Sequence, residues 1–140
     1  MNERILIVDD EIDVIHLCTR VLERFKYEAR SAQSGREALR ILREGSFDLL
    51  LTDIMMPGMT GLELLEQALL IDPHLAAVVI TGFSTFDLAL KALRAGARDF
   101  VPKPFNISDL REAVEHALAQ RRVAQEYARL SALMPLFELT

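Results

Sequence analysis

Short, continuous runs of apolar residues recur along the chain and predict strands. Runs of this length without polar alternation are typical of strands that are buried on both faces, as in the centre of a parallel sheet. Two further runs suit the edges of such a sheet, because Tyr27–Ala32 alternates apolar and polar residues and Arg98–Val101 stops at Pro102. The continuous runs lie at Arg4–Val8, Leu49–Leu51 and Leu75–Thr81.

Segments with helical character separate these strands. In the first segment the apolar residues repeat at helical spacing. Three later segments begin with a capping box, in which a hydroxyl residue is followed three positions later by an acid. In the first of these boxes, Glu37 is expected to reach back to the amide of Ser34. The predicted helices are Ile12–Phe25, a helix from Ser34 to about Gly45, one from Thr60 to about Ile71, one from Ser84 to Gly96 and one from Asn106 through about Leu118.

The alternation of five predicted strands with five predicted helices indicates an α/β domain with a parallel sheet and helices on both faces. The two edge-like runs are the second and fifth strands, and the strand order 2-1-3-4-5 places both at the edges. We therefore predict a doubly wound, flavodoxin-like (βα)5 fold with a five-stranded parallel sheet. Its topological switch point lies between the first and third strands, where ligands bind in such folds.

Polar side chains stand at the carboxyl ends of four of the predicted strands. Asp9 and Asp10 follow the first strand, and Asp53 follows the third. Thr81 closes the fourth strand, and Lys103 follows the fifth. A lone aspartate at such a place is more often a cap for the next loop than a functional group. Because the carboxyl ends of parallel strands meet at one edge of the sheet, these five side chains are expected to converge.

Three converging carboxylates repel one another, and a divalent cation removes that repulsion. A site with oxygen ligands alone suits Mg²⁺ better than zinc, and the three histidines of the chain have no ligand spacing. With Mg²⁺ bound, Asp53 could attack phosphorus as a nucleophile and form an acyl phosphate. Lys103 and Thr81 would then stabilise the phosphoryl oxygens.

Composition restricts the class of protein further. The chain has 140 residues, enough for one domain, and 51% of them are hydrophobic, which excludes a disordered protein. The net charge of −5 argues against direct binding of nucleic acid. No run is long enough to span a membrane, no signal peptide precedes the first strand, and a single cysteine, Cys18, fits a reducing compartment. We expect a cytoplasmic protein without a membrane partner.

Four motifs contain the residues of this predicted site. Any one of them would be a weak signal, but four in this order and at this spacing are highly specific. Together they strongly resemble the receiver domain of two-component response regulators, over residues 4 to about 121. The motifs are Val8-Asp9-Asp10-Glu11, Asp53-Ile54-Met55-Met56-Pro57-Gly58-Met59-Thr60-Gly61, Val79-Ile80-Thr81-Gly82 and Phe100-Val101-Pro102-Lys103-Pro104-Phe105.

The resemblance implies a phospho-acceptor and a metal site. Asp53 is the phospho-acceptor, and Asp10 and Asp53 bind Mg²⁺ directly. The backbone carbonyl of Met55 is a third ligand, and Asp9 acts largely through water. The phosphoryl group comes from a histidine of a partner sensor kinase. The chain is therefore not expected to be an enzyme beyond its own phosphorylation and dephosphorylation.

The resemblance also implies a conformational switch. Thr81 and Lys103 contact the phosphoryl group, Thr81 moves toward it, and Phe100, at the aromatic switch position, fills the vacated space. This change would bias the surface of the fourth helix, fifth strand and fifth helix toward an output partner. The Lys103-Pro104 peptide bond is expected to be cis.

Two alternatives are weighed against this interpretation. A haloacid-dehalogenase-type phosphatase also uses an aspartate nucleophile with Mg²⁺, but it needs a second acid two residues later, where this chain has Met55. The other alternative is a receiver that binds its partners without phosphorylation. The intact acids, together with Thr81 and Lys103, argue against it. Met55 and Phe83 are apolar where receivers often carry polar residues, which predicts slow loss of the phosphoryl group.

Apolar residues outside the predicted core indicate contacts with other chains. The fourth helix carries more apolar residues than one buried face requires. Ordinary packing on the sheet claims part of them, and the excess, with Ala89 in it, suggests a dimer or output contact. The apolar residues of this helix are Phe86, Leu88, Ala89, Leu90, Ala92 and Leu93.

The segment after residue 121 has a heptad pattern. Its apolar residues are spaced 4, 3, 4 and 3 positions apart, although they fill only about two heptads. We predict a receiver domain over 1–121 and a helical extension over 122–140 that pairs two chains and links to an output domain. The alternative is a helix that folds back on its own domain, and Pro135 would kink the helix or begin a new one. The heptad residues are Val123, Tyr127, Leu130, Met134 and Phe137.

Overall fold

The computed structural model describes residues 2–82 and 86–138, with side chains through Met134. The predicted capping box at Ser84 begins outside these residues. Strands and helices alternate along the whole of the described chain. The elements are β1 (Arg4–Val8), α1 (Ile12–Arg24), β2 (Glu28–Ala32), α2 (Gly35–Glu44), β3 (Leu49–Asp53), α3 (Gly61–Ile71), β4 (Ala76–Thr81), α4 (Phe86–Arg94), β5 (Asp99–Pro102) and α5 (Ile107–Glu138).

The strands form one sheet in the order β2-β1-β3-β4-β5, and every pair is parallel. The predicted doubly wound (βα)5 fold and its strand order are therefore confirmed. β1 pairs with β2 on one side and with β3 on the other. The chain thus changes its winding direction between β1 and β3, where the switch point was expected.

Successive side chains of the central strands face opposite sides of the sheet. Ile5 and Ile7 of β1 pack with residues of α1 and α5, whereas Leu6 and Val8 pack with residues of α2 and α3. All four side chains are fully buried. Burial on both faces explains why these strands show no polar alternation, and each such side chain contributes roughly 1.5–3 kcal/mol to folding.

Two of the predicted capping boxes differ in their hydrogen bonds. At Thr60, the side-chain oxygen accepts the Glu63 N–H at 3.2 Å, and the Glu63 carboxylate accepts the Thr60 N–H at 3.1 Å. At Ser34, the hydroxyl accepts the Glu37 N–H at 3.2 Å, but the Glu37 carboxylate accepts the N–H of Gln33. The prediction that Glu37 bonds to Ser34 is therefore wrong, because its side chain reaches one residue further.

Helix α4 divides its apolar residues between the core and the surface. Ala89 and Ala92 are buried, whereas Phe86 is 56% and Leu90 is 39% exposed. Ala89 and Ala92 are therefore core residues, in keeping with the expectation that sheet packing claims part of this helix, and the prediction that Ala89 belongs to the excess apolar surface is wrong. The small side chains let the helix lie close to the sheet, and Phe86 and Leu90 remain as exposed apolar groups.

Helix α5 continues well past the body of the domain. Its last buried residue among the described side chains is Leu118, and every described side chain from Glu126 onward is exposed. Val123 and Tyr127 are 70% and 73% exposed, so the described part of the domain does not cover the heptad stripe. Pro135 lies inside α5, so no new helix begins there, and the alternative that Pro135 kinks the helix stays a prediction.

Over residues 2–82 and 86–138, the helices are too short or too polar to cross a membrane.

Candidate functional site

Three carboxylates meet where β1 and β3 end. Asp9 directly follows β1, and Asp53 is the last residue of β3. One carboxylate oxygen from each of Asp9, Asp10 and Asp53 lies within 4.8 Å of the others. Asp9 is fully buried and Asp53 is 6% exposed, whereas Asp10 is exposed to solvent. The acids that the sequence placed at these two strand ends therefore lie together.

The backbone around Asp53 is held tightly by the start of α3. A Cβ atom on Gly61 would lie 2.1 Å from the Asp53 carbonyl oxygen and 2.7 Å from the Ile54 Cα, so only glycine fits there. The Gly61 N–H donates a hydrogen bond to the Ile54 carbonyl oxygen at 2.9 Å, and the Ile54 N–H donates to the Ile80 oxygen at 3.0 Å. These contacts fix where β3 ends, and with it the position of the Asp53 carboxylate.

Lys103 reaches the acids from the loop after β5. Its ammonium nitrogen lies 3.3 Å from Asp53 Oδ2 and 3.5 Å from Asp9 Oδ2. The loop is fixed by a hydrogen bond from the Lys103 N–H to the Thr81 carbonyl oxygen at 2.7 Å. The Lys103-Pro104 peptide bond is cis, as predicted. The sheet thus brings one ammonium group between two buried carboxylates.

Burial makes Asp9 and Asp53 harder to ionise than exposed aspartates, and like charge adds to the effect at Asp9. Burial is the main reason that the pKa of Asp9 rises to about 6, and the carboxylates of Asp53 and Asp10 add to it. Burial also raises the pKa of Asp53, although the Lys103 ammonium and the backbone amides of Met55 and Ile54 oppose that rise. A bound cation would remove the cost of placing negative charge here.

The site has the ligand chemistry of a magnesium site. It offers carboxylate oxygens and no nitrogen or sulfur ligand among the clustered residues of the described chain, which suits Mg²⁺. Three carboxylates face one ammonium, so an uncompensated negative charge remains for a cation. Met55 lies two residues after Asp53, and its side chain is 51% exposed. The ligand role of its carbonyl stays a prediction.

Thr81 and Phe100 belong to β4 and β5, the strands on one side of the acids. Thr81 ends β4 and is 3% exposed. A cavity of about 410 Å³ is lined by Thr81, Gly82 and Lys103 together with Phe86, Phe100 and Pro102. Phe100 is half-buried at the cavity's edge. There is therefore space beside Thr81 for the aromatic side chain that the resemblance calls a switch.

One contact in this region could not be read from the sequence. The rings of Phe86 and Phe100 meet edge to face, with centroids 6.4 Å apart and planes at 84°. The sequence placed Phe86 on an apolar helix but gave no signal that it faces Phe100, because that depends on how α4 packs on the sheet. Phe83 lies outside the described residues.

A second unpredicted contact links the backbone of Phe100 to α5 through the Asp99 carboxylate. Asp99 accepts the Phe100 N–H at 2.8 Å through one carboxylate oxygen, and its other oxygen lies 3.0 Å from His116 Nδ1 of α5. His116 is also 3.0 Å from Gln120, one turn further along α5. None of the three histidines lies in the acidic site, and His116 instead joins β5 to α5.

Comparison with known proteins points to one family. The family model described as response regulator receiver domain matches residues 5–115. The response regulator protein PilR of Pseudomonas aeruginosa is 40% identical over 127 residues, which are 91% of this chain and 28% of PilR. Sporulation initiation phosphotransferase F of Bacillus subtilis is 35% identical over 118 residues, which are 84% of this chain and 95% of that protein.

A solved structure agrees with these sequences. The crystal structure of NtrX from Brucella abortus matches with a TM-score of 0.87 and 33% identity, over 93% of this chain and 30% of NtrX. The chain spans a little over a quarter of PilR, with 28% of its length covered, but nearly all of the sporulation phosphotransferase, with 95% covered. Because the family model covers most of the chain and the fold agrees, this protein belongs to the response regulator receiver domain family.

Proposed function

We propose that Asp53 of this receiver domain accepts a phosphoryl group from a phosphohistidine of a sensor kinase, in a reaction that requires Mg²⁺. The observation that carries the proposal is the Lys103 ammonium, 3.3 Å from Asp53 and 3.5 Å from the buried Asp9. It places compensating charge beside the carboxylate that would gain a phosphoryl group. The phosphatase alternative lacks its second acid, because Met55 occupies that position.

Each side chain has a separate task in the transfer. An oxygen of the Asp53 carboxylate attacks phosphorus, a P–O bond forms and the P–N bond to the donor histidine breaks. The electron pair of the broken bond returns to the ring nitrogen, which takes up a proton. Phosphoryl transfer depends on positioning and charge stabilisation, which the Lys103 ammonium and the Thr81 hydroxyl supply to the phosphoryl oxygens.

Asp10 and Asp53 would hold Mg²⁺ directly, with the Met55 carbonyl as a further ligand and Asp9 acting through water. The ion would neutralise phosphoryl oxygens that the carboxylates would otherwise repel. Asp9 is fully buried, and its Oδ1 accepts the Glu11 N–H at 2.9 Å, which fixes the carboxylate without solvent. A buried carboxylate next to Asp53 needs positive charge beside it. This supports the proposal that the site binds a cation before Asp53 accepts the phosphoryl group.

The phosphoryl group would act on the surface formed by α4, β5 and α5. It adds charge of roughly −1.5 to −2 and strong acceptor oxygens close to Thr81. Movement of Thr81 toward the phosphoryl group opens space beside the cavity that Phe100 borders. Phe100 would turn into that space and leave Phe86, which changes an exposed apolar surface that includes Leu90.

The helical extension over 122–140 would join the receiver to an output domain and pair two chains. The support is the exposed stripe, in which Val123, Tyr127, Leu130 and Met134 are 70%, 73%, 51% and 52% exposed. Relatives named as regulators, such as PilR, are much longer than this chain, which covers 28% of PilR. We place the protein in the cytoplasm, where its kinase partner would present the phosphohistidine.

Uptake of one phosphoryl group tests this proposal. The protein is incubated with acetyl phosphate, with Mg²⁺ or with a chelator, and its intact mass is measured. We expect one added phosphoryl group with Mg²⁺, little without it, and none for Asp53→Asn. Asp13→Asn removes an exposed carboxylate of α1 outside the site and should take up phosphate like the wild type.

The same uptake measurement separates the proposal from the phosphorylation-independent alternative. Wild type that takes up no phosphoryl group under any of these conditions would contradict the proposal and favour a receiver that binds its partners without phosphate. Uptake by Asp53→Asn equal to that of the wild type would show that another residue is the acceptor.

A further inference from the structure

Helix α5 leaves the domain at Arg121. The buried face of α5 ends with Ala117 and Leu118, and Arg121 lies three residues after Leu118, on nearly the same face. The Arg121 side chain is only 17% exposed, whereas Val123 is 70% exposed. Arg121 therefore stands one turn before the point where the domain stops covering the helix, because Ala124 and Gln125 are still partly buried and every described side chain from Glu126 onward is exposed.

The guanidinium of Arg121 contacts two other segments of the chain. Its Nη1 lies 3.2 Å from Asp48 Oδ1, and its Nε donates a hydrogen bond to the His74 carbonyl oxygen at 3.1 Å. A guanidinium is rigid and planar with donors at fixed angles, so two acceptors fix its orientation as well as its position. These two contacts of the guanidinium restrict the direction of α5 more than contacts among flexible apolar side chains would.

Asp48 is itself fixed from the other side. Its Oδ2 accepts the Arg4 N–H at 2.7 Å, and its own N–H donates to the Arg4 carbonyl oxygen at 2.8 Å. Arg4 begins β1, and Asp48 directly precedes β3. Arg121 is thus tied, through Asp48, to the amino ends of two central strands.

These contacts lie at the opposite ends of the two strands that carry the phosphoryl site. Asp48 precedes β3, which ends at Asp53, and His74 precedes β4, which ends at Thr81. A displacement of β3 or β4 along its length would therefore change the distances from Arg121 to Asp48 or to His74. The neighbouring Arg122 lacks this arrangement, because its contact with Glu3 is 3.5 Å long and its side chain is 61% exposed.

We propose that Arg121 is a positioning residue that fixes the direction in which α5 leaves the sheet and transmits the state of β3 and β4 to the helical extension. The fixing of direction stands on the contacts alone. The transmission rests on the proposed function, because the phosphoryl group on Asp53 is what would displace the two strands. Lysine cannot replace arginine here, since its ammonium lacks the fixed pair of donors.

The distance between two spin labels measures the direction of α5. The labels are attached at Gln67→Cys on α3 and Ala128→Cys on α5, both exposed positions. Cys18 is buried and burial raises the pKa of its thiol to about 12, so it should not react. Labelled protein is diluted with unlabelled protein, so that the distances within one chain dominate in double electron–electron resonance.

Arg121→Gln, Arg121→Lys and Asp48→Asn are compared with the matched control Arg122→Gln in the doubly labelled protein. The parent is the doubly labelled protein without a further substitution. We expect a narrow distance distribution for the parent and for Arg122→Gln, and a broader distribution for both Arg121 variants and Asp48→Asn. Circular dichroism and thermal unfolding establish that each variant is folded, and Arg121→Lys retains the charge if Arg121→Gln does not fold. A distribution as narrow in Arg121→Lys as in the parent would overturn the fixing of direction.

The same samples are then measured after acetyl phosphate and Mg²⁺, with the phosphoryl content read by mass. We expect the mean distance to shift in the parent and in Arg122→Gln, and not in Arg121→Lys, although all three carry the phosphoryl group. An equal shift in phosphorylated Arg121→Lys, or no shift in the phosphorylated parent, would overturn the transmission. Absence of phosphoryl groups in the parent would instead contradict the proposed function, and the unphosphorylated samples would still decide whether Arg121 fixes the helix.

Discussion

The rings of Phe86 and Phe100 meet edge to face with their centroids 6.4 Å apart, and this contact joins the start of α4 to β5. Both rings line the cavity that Thr81 and Lys103 also line. Phe86 therefore packs against the Phe100 ring at a cavity that Thr81 also lines. In the proposed switch, Phe100 gives up this contact when it turns into the cavity.

Loss of the Phe86 ring is expected to favour the switched state. An edge-to-face pair contributes about 0.5–1.5 kcal/mol, so Phe86→Ala should shift the balance roughly two- to tenfold toward the state with Phe100 turned inward. Beryllofluoride imitates the phosphoryl group, and with Mg²⁺ it should bind more tightly to the variant by that factor. Leu90→Ala removes another exposed apolar residue of α4 and is the control. Binding to Phe86→Ala that is equal to or weaker than that of the wild type would count against this role.

Magnesium binding is expected to depend on pH because of Asp9. Burial raises the pKa of this carboxyl to about 6, and Mg²⁺ binds the ionised form. Below pH 6, Asp9 must therefore lose its proton when Mg²⁺ binds. The dissociation constant for Mg²⁺ should be about tenfold higher at pH 5 than at pH 7.5. Between pH 7.5 and 8.5 it should not change.

Calorimetric titration with Mg²⁺ checks this profile, and Asp9→Asn should flatten it. A dissociation constant that is equal at pH 5 and pH 7.5 would show that Asp9 does not limit Mg²⁺ binding.

The raised pKa of Asp9 also predicts how the stability of the metal-free protein depends on pH. The folded state holds the Asp9 proton more tightly than the unfolded chain, so this group's contribution to stability is lost as pH rises from about 4 to about 6.

The phosphoryl group is expected to be lost slowly because of Met55. This side chain lies two residues after Asp53, is 51% exposed and has no strong hydrogen-bonding group to orient an attacking water. Met55→Asn supplies an amide, and one hydrogen bond of about 1 kcal/mol would speed hydrolysis roughly fivefold. The decay of phosphorylated protein is followed by mass. Met134→Asn changes a methionine of similar exposure, 52%, on the distant extension and should leave the decay unchanged.

Self-association is expected to depend on the helical extension. The heptad stripe from Val123 to Met134 is exposed, and pairing with the same stripe of a second chain would remove its apolar side chains from water. Sedimentation of residues 1–140 and 1–121 is compared with and without beryllofluoride. We expect the longer chain to associate more strongly and to respond to the phosphoryl mimic. Equal association of both chains in both states would show that the extension does not pair chains.

The features that the sequence predicted well are those that depend on local pattern. Continuous apolar strands predicted the central sheet, and helix start signals such as Thr60 and Glu63 predicted where helices begin. The convergence of Asp9 and Asp53 followed from one further fact, that the ends of parallel strands meet. The error at Glu37 is a single rotamer choice, which spacing alone does not determine.

Contacts between distant elements could not be predicted in the same way. The pairing of Phe86 with Phe100 depends on how α4 packs on the sheet. The burial of Ala89 depends on the same packing, so the sequence did not predict it. The ion pair of Arg121 with Asp48 joins residues from separate parts of the chain. The separation of Asp48 and Arg121 along the sequence gives no sign that they pair. Only the path of α5 across the sheet brings the two side chains together.

The central claim is that Asp53 itself carries the phosphoryl group, and chemical trapping tests it most directly. Protein phosphorylated with acetyl phosphate and Mg²⁺ is reduced with borohydride, which converts an aspartyl phosphate to homoserine, and its peptides are sequenced by mass spectrometry. We predict homoserine at position 53 and unmodified aspartate at Asp9 and Asp10. Homoserine at Asp9 or Asp10, or at any other position with Asp53 intact, would contradict the account.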